Sequence, residues 1–178
     1  MTVHVLNRTV IHKGRIFELT REKVTLSNGV QTDMDIINHP GAAAIVAVTS
    51  DRHVLMLRQY RHAVAKTLWE IPAGTLENGE NPLACAQREL IEETGYSAGR
   101  WNTLGATTPV PGYSSERIHL FLARDISAAE QDLDVDEIIT VEKVPFDQVV
   151  DMIADGAVED TKTIAAVFLA MQKFGDSI

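Results

Sequence analysis

Glu89, Glu92 and Glu93 stand at positions i, i+3 and i+4 of one stretch. On a helix that spacing puts all three carboxylates on one face. Like charges so placed cost roughly 0.2–0.5 kcal/mol per pair, and these fall in the last turn, where the helix dipole is already negative. Helix stability alone would select Lys or Arg there. Either water solvates the face, or a cation neutralises it. Hard oxygen donors of this kind suit Mg2+ or Mn2+. The formal net charge of −9 bears on the same question. An acidic protein with a glutamate-lined site repels an anionic substrate unless cations bridge the two.

The element that must carry these carboxylates is predicted over residues 82–94. Asn81 is a favoured N-cap and Pro82 is tolerated at the first helical position. Gly95 can take the left-handed turn that ends the helix, and Leu83, Ala86 and Leu90 form its buried stripe. Before it lies a Gly- and Glu-containing loop from Gly74 to Glu80. Cys85 is the one cysteine of the chain, so no intrachain disulfide exists, and it reads as a small buried apolar residue.

Other residues with chemical capacity lie outside this stretch. Glu116 ends the loop Pro109–Glu116, just before an extended run, where a glutamate can project over a site or simply be exposed. Arg58 and Arg61 end a strand and can clamp phosphate oxygens or form ordinary salt bridges. The six histidines show no metal-ligand spacing. Ser114-Ser115 has no His/Asp arrangement that would make a serine nucleophile.

The remaining elements follow from periodicity and turn residues. Strands are expected over 2–12, 15–26 and 30–38, with Ser27-Asn28-Gly29 as a hairpin turn. His39-Pro40-Gly41 ends this antiparallel sheet, giving a division into residues 1–39 and 40–178. Ala42–Thr49 is a continuous apolar run, as in a strand buried on both faces, with His53–Tyr60 as its expected hairpin partner. Further strands are expected over 68–71, 101–107, 117–123 and 138–144. One helix should run from Pro145 to Ala154. Another, capped by Asp160, should reach Phe174 with Ile164, Val167, Phe168 and Met171 on its apolar face. The fold class is mixed α/β (α+β).

Residues 1–66 carry nine Lys/Arg against five Asp/Glu, whereas residues 125–160 hold twelve of the 25 acids, read as a solvated surface. The net charge argues against nucleic acid or anionic membrane as partner. The apolar runs Ala42–Val48 and Ile164–Met171 are too short to span a bilayer. No basic segment followed by an apolar one opens the chain, so the expected compartment is the cytoplasm.

Gly74, Glu80, Arg88-Glu89-Leu90, Glu92-Glu93 and Gly95-Tyr96 together resemble the Nudix box at nine defining positions over twenty-three residues. The resemblance extends to Trp69-Glu70-Ile71-Pro72-Ala73-Gly74, the Pro111 loop and Lys162-Thr163-Ile164. It is similar to the ADP-ribose pyrophosphatase branch, although Val110-Pro111-Gly112 stands where many members have Ser-Pro-Gly. The resemblance implies a mixed-sheet sandwich between helices behind an N-terminal antiparallel sheet. It implies Mg2+, with Mn2+ possible, as two or three ions on Glu89, Glu93 and the Ala73 carbonyl, with Glu92 and Glu116 as further ligands. Glu116 is the implied catalytic base, with a box glutamate such as Glu92 as fallback. Gly74, Glu80, Arg88 and Gly95 are implied to be structural, Arg61 to bind substrate, beside Arg58 as the second candidate cation of that strand end, and Phe17 to stack on adenine, a core or interface role being its alternative. A homodimer is implied, its N-terminal sheets contributing to substrate binding. The implied reaction takes ADP-ribose to AMP and ribose 5-phosphate. GDP-mannose and ADP-glucose are alternative substrates. A non-catalytic nucleotide-sugar-sensing module is the alternative of another class, but such modules lose box carboxylates and this chain keeps them.

Overall fold

The chain opens with β-prone residues broken by Asn-Gly, and they form a meander: β1 (His4–Lys13), β2 (Glu18–Thr25) and β3 (Gln31–Asn38), antiparallel in that order. The computed structural model describes residues 2–133 and 138–175. Gly29 takes the expected positive φ of 84° in the turn before β3, and the Asn28 side chain accepts from Val30 N at 3.1 Å. Two compact units result. The smaller comprises the residues through Gly41 together with Thr108–Arg117; the larger holds Ala42–Thr107 and the residues from Ile118 on. In the smaller unit the distant loop is stitched to β3: Ile37 N donates to Tyr113 O at 2.8 Å and Ser115 N to Ile37 O at 2.9 Å.

The larger unit contains β4 (Ala42–Ala47), β5 (His53–Arg61), β6 (Lys66–Glu70), β7 (Ala73–Thr75), α1 (Pro82–Thr94), β8 (Tyr96–Thr107), β9 (Ile118–Ala128), β10 (Ile139–Pro145), α2 (Phe146–Ala154) and α3 (Thr161–Phe174). Its strands form a mixed sheet β7-β4-β9-β8 and an antiparallel sheet β10-β5-β6. Strand β4 is buried along its whole length and alternates its side chains between two cores. Ala42, Ala44 and Val46 pack with Val149 of α2 and Ala166, Val167 and Ala170 of α3. Ala43, Ile45 and Ala47 pack with Cys85, Ala86 and Leu90 of α1. This is the expected sheet layer between helices.

Two expectations fail. His53–Tyr60 is not the hairpin partner of β4. Both edges of β4 are taken, by β7 antiparallel and β9 parallel, so β5 crosses to the other sheet after a single bridge, Val48 to Val54. Phe168 of α3 is 54% exposed. The helix buries Thr163, Ala166, Val167 and Ala170 instead, small side chains that allow close approach to the sheet.

Helix α1 spans the expected residues. The Asn81 side chain accepts from Leu83 N at 2.9 Å and Gly95 closes the helix at φ 70°. Strands β8 and β9 are longer than expected because they pair with each other from Tyr96–Ala128 to Thr107–Ile118. Asp125 and Glu159 of the acidic stretch lie on the expected solvated surface, in exposed pairs with Arg100 and Lys66, whereas Asp160 is largely covered and caps α3; its residues 134–137 lie outside the described residues. Among the described residues no helix is long and apolar enough to cross a membrane.

Candidate active site

Glu89 and Glu93 do not lie on a solvated face. They are 8% and 2% exposed, on the flank of α1 beside its apolar stripe. Burying a carboxylate without partners is prohibitive, and the structure shows the partners. Glu93 Oε2 accepts from Ala73 N at 2.8 Å. Arg88 Nη1 donates to Glu89 Oε1 at 2.7 Å and to Glu92 Oε2 at 2.8 Å. Its Nε and Nη2 grip Glu80, each at 3.1 Å, and Nη2 also reaches Thr75 O at 3.3 Å. The planar guanidinium thus spans three carboxylates and the loop before the helix, a geometry Lys cannot reproduce. The hydrogen bonds to Glu80 lead in raising the Arg88 pKa, and those same bonds lower that of Glu80.

Gly74 is required by contact rather than by φ. A Cβ there would sit 1.8 Å from Glu89 Oε1, so only glycine lets the β7 backbone lie against that carboxylate. Cys85, beneath, donates to the Gly74 and Thr75 carbonyls at 3.6 and 3.7 Å. Burial, reinforced by the negative charges of Glu89 and Glu80, pushes its thiol up to about 12, which fits an inert packing residue.

The last carbonyls of α1 are satisfied by the segment after β9. Gln131 Nε2 donates to Glu93 O at 2.6 Å, and Asp132 N to Glu92 O at 3.2 Å. Arg88, Ile91, Glu92, Glu130, Gln131 and Asp132 line a cleft of about 470 Å3 beside them. Gln131 gave no signal in the sequence, since it sits in a run of acids that reads as surface.

A buried cluster stands at the other end of the approach to α1. Glu70, the last residue of β6, is 2% exposed. Arg61 Nε and Nη2 hold its two oxygens at 2.7 and 2.8 Å, and Lys162 donates to Oε2. Burial works to raise the Glu70 pKa, but the Arg61 hydrogen bonds and the Lys162 and Arg61 charges outweigh it and bring it to about 2. That folded value lies below the ordinary 4.5. The stabilisation is therefore full above about pH 4.5 and is lost as pH falls through 2. Urea unfolding should show it: Glu70→Gln is expected to cost about 3 kcal/mol at pH 7 and to flatten the stability decline between pH 4.5 and 2. An unchanged pH profile would remove Glu70 from that role. Glutamate inside Leu68-Trp69-Glu70-Ile71 was its available signal: one acid in an apolar run.

The structure brings Ala73, Gly74, Glu80, Arg88, Glu89, Glu92 and Glu93 together, with Gly95 ending the helix. Arg61 sits on Glu70 as a salt bridge, and its Nη1 donors remain beyond that fork. Arg58 is exposed, its guanidinium 5.3 Å from the centre of the Trp69 ring. Phe17, 40% exposed, and Glu116 belong to the smaller unit. There, Glu116 lies 4.0 Å from His39 Nδ1, which already accepts from Gly41 N at 3.1 Å.

The donor set fits a hard divalent cation. Among the described residues no three His, Cys, Asp or Glu side chains close into a cage. What exists is a buried carboxylate pair, Glu89 and Glu93, with the half-exposed Glu92 on the next position of the same flank and the Ala73 backbone against Glu93. Mg2+ favours such sites, keeping waters and taking other ligands from phosphate.

Comparison with known proteins agrees with this geometry. Residues 38–167 match the family model of the NUDIX domain. An ADP-ribose pyrophosphatase of Bacillus subtilis is 39% identical, over 88% of this chain and 86% of that protein. A methanol dehydrogenase activator of Bacillus methanolicus is 38% identical, over 92% of this chain and 90% of that protein. Among solved structures, an ADP compounds hydrolase superposes with a TM-score of 0.86, covering 100% of this chain and 98% of that one at 22% identity, a likeness of fold.

Proposed function

The chain belongs to the NUDIX domain family, and from that premise we propose that it hydrolyses ADP-ribose to AMP and ribose 5-phosphate. It is a Nudix hydrolase whose reaction class is cleavage of the diphosphate in a nucleoside diphosphate sugar, with divalent metal as cofactor. ADP-ribose is the finer reading. The observation that carries it is the buried Glu89–Glu93 pair, held by Arg88 and Ala73 N, in a chain similar over nearly its whole length to an ADP-ribose pyrophosphatase.

Glu89, Glu93 and the Ala73 carbonyl would hold Mg2+, with Glu92 and Glu116 as further ligands in a set of two or three ions. When bound there, the metal neutralises the diphosphate, polarises its P–O bonds and makes a bound water more acidic. The chain's own residues do the rest. Arg88 keeps Glu89 and Glu92 oriented, so that little reorganisation is needed on reaction. Arg61 offers its Nη1 donors to phosphate oxygens while Glu70 fixes its plane, and Arg58 adds a second cation. Phe17 stacks on the adenine. Glu116 accepts the proton of the water that attacks phosphorus in line, and Glu92 is the alternative acceptor.

The active form is a homodimer. Strand β1 is exposed at all ten positions, including Val5, Leu6, Val10 and Ile11. A ten-residue edge strand that exposes four large apolar side chains is a surface suited to pairing with a second copy. The two N-terminal sheets would then contribute to each other's substrate site.

Initial-rate assays with Mg2+ and a panel of ADP-ribose, ADP-glucose and GDP-mannose test the substrate. The expected result is the highest kcat/KM for ADP-ribose. A higher kcat/KM for GDP-mannose would overturn that choice.

A further inference from the structure

The chain passes from one sheet to the other between Glu70, the end of β6, and Ala73, the start of β7. This two-residue crossing, Ile71-Pro72, delivers Ala73 N to Glu93 and Gly74 to Glu89, the carboxylates of α1. A crossing lies outside either strand ladder, so its polar groups need other partners. Pro72 has no N–H, and its carbonyl accepts from Ile45 N at 2.8 Å. The N–H of Ile71 and that of Ala73, the first residue of β7, are met by side chains from two different helices. Ala73 N goes to Glu93 of α1 at 2.8 Å. Ile71 N goes to Thr163 Oγ1 of α3 at 3.0 Å.

Thr163 is itself fixed. It is fully buried, its hydroxyl donates to Asp160 Oδ2 at 2.5 Å, and its own N–H reaches the same oxygen at 3.0 Å. With its proton committed to Asp160, the Thr163 oxygen presents a lone pair to Ile71 N. One position earlier, Lys162 bridges Asp160, at 3.1 Å, and Glu70. The first turn of α3 therefore holds both residues flanking the start of the crossing, Glu70 by charge and Ile71 by hydrogen bond.

We infer that Thr163 and Lys162 are positioning residues for the metal site: the first turn of α3 clamps the Glu70–Ala73 crossing against Glu93 and so sets the register of the Ala73 carbonyl with the α1 carboxylates. The clamp rests on the reading of Glu89, Glu93 and Ala73 as the metal site. It acts through backbone position and touches neither substrate nor ion.

Mn2+ titration of the substrate-free protein, followed by electron paramagnetic resonance, tests it alongside thermal unfolding. Thr163→Val keeps the shape and removes the acceptor for Ile71 N. The expected result is Mn2+ binding weakened roughly 10- to 100-fold, the range for groups that orient metal ligands, with Thr163→Ser close to wild type. Val149→Ala, which loosens the same core from α2, should lower Tm and leave Mn2+ binding unchanged. Wild-type Mn2+ affinity in Thr163→Val, whatever its Tm, overturns the inference. If Thr163→Val fails to fold, Lys162→Met decides: weaker Mn2+ binding supports the clamp and wild-type binding overturns it. Glu93→Gln, run in parallel, separates the two levels. Lost Mn2+ binding there with Thr163→Val unaffected defeats the clamp alone, whereas retained binding in Glu93→Gln defeats the site reading and the clamp together.

Discussion

Glu93→Gln should lower kcat by at least ~10^3, a barrier increase of about 4 kcal/mol, with circular dichroism unchanged. The argument is one of charge against shape. Glu93 is buried and its Oε2 accepts from Ala73 N. Glutamine has nearly the same volume, and its amide oxygen can accept that same hydrogen bond, so the crossing into β7 is kept. What it cannot supply is the negative charge beside Glu89 that a divalent cation needs as a hard donor. Steady-state kinetics at saturating Mg2+ measure the loss. Activity within about tenfold of wild type, a change of only ~1.4 kcal/mol, would remove Glu93 from the metal shell.

Glu116→Gln should lower kcat by roughly 10^2–10^4, the usual contribution of a general base, while the Mn2+ ion held by Glu89 and Glu93 in the substrate-free protein binds with little change, because Glu116 would complete only a further ion. Glu116 is on the loop stitched to β3, and its backbone N donates to Ser114 Oγ at 3.1 Å. Its position is set by the smaller unit and not by the helix that carries the other carboxylates. A residue so placed can be lost without disturbing Glu89 and Glu93. An unchanged kcat would transfer the proton to another group, with Glu92 first in line.

Much of this was legible in the chain because local chemistry and the final structure agree. Asn81, Pro82 and Gly95 each dictate a backbone state, so the bounds of α1 could be read. The carboxylate spacing put Glu89 and Glu93 on one face. Their burial was not readable, because it depends on Gly74 and Arg88 being folded against them. Strand β8 shows another limit. Ser97-Ala98-Gly99-Arg100 has no apolar alternation, and those residues are extended only because β9 lies alongside. The partner of β4 was misread for a related reason. Two neighbouring apolar runs joined by a short turn suggest a hairpin, yet sheet membership is decided by which edges remain free, and β7 and β9 occupy both. Phe168 follows the helical period of α3, but the sheet selected the small side chains Ala166 and Ala170 for close contact. Glu70 meets Lys162 and Ile71 meets Thr163, each pair ninety-two residues apart, a separation that no local pattern reports.

The central claim is that the carboxylate flank of α1 receives the cation that brings a diphosphate in. Crystals soaked with Mn2+ and a non-hydrolysable ADP-ribose analogue test it through anomalous scattering. The expected peak lies among Glu89, Glu93 and the Ala73 carbonyl, with the analogue's diphosphate against it. Manganese and diphosphate bound together elsewhere, with no ion at Glu89 and Glu93, would contradict it.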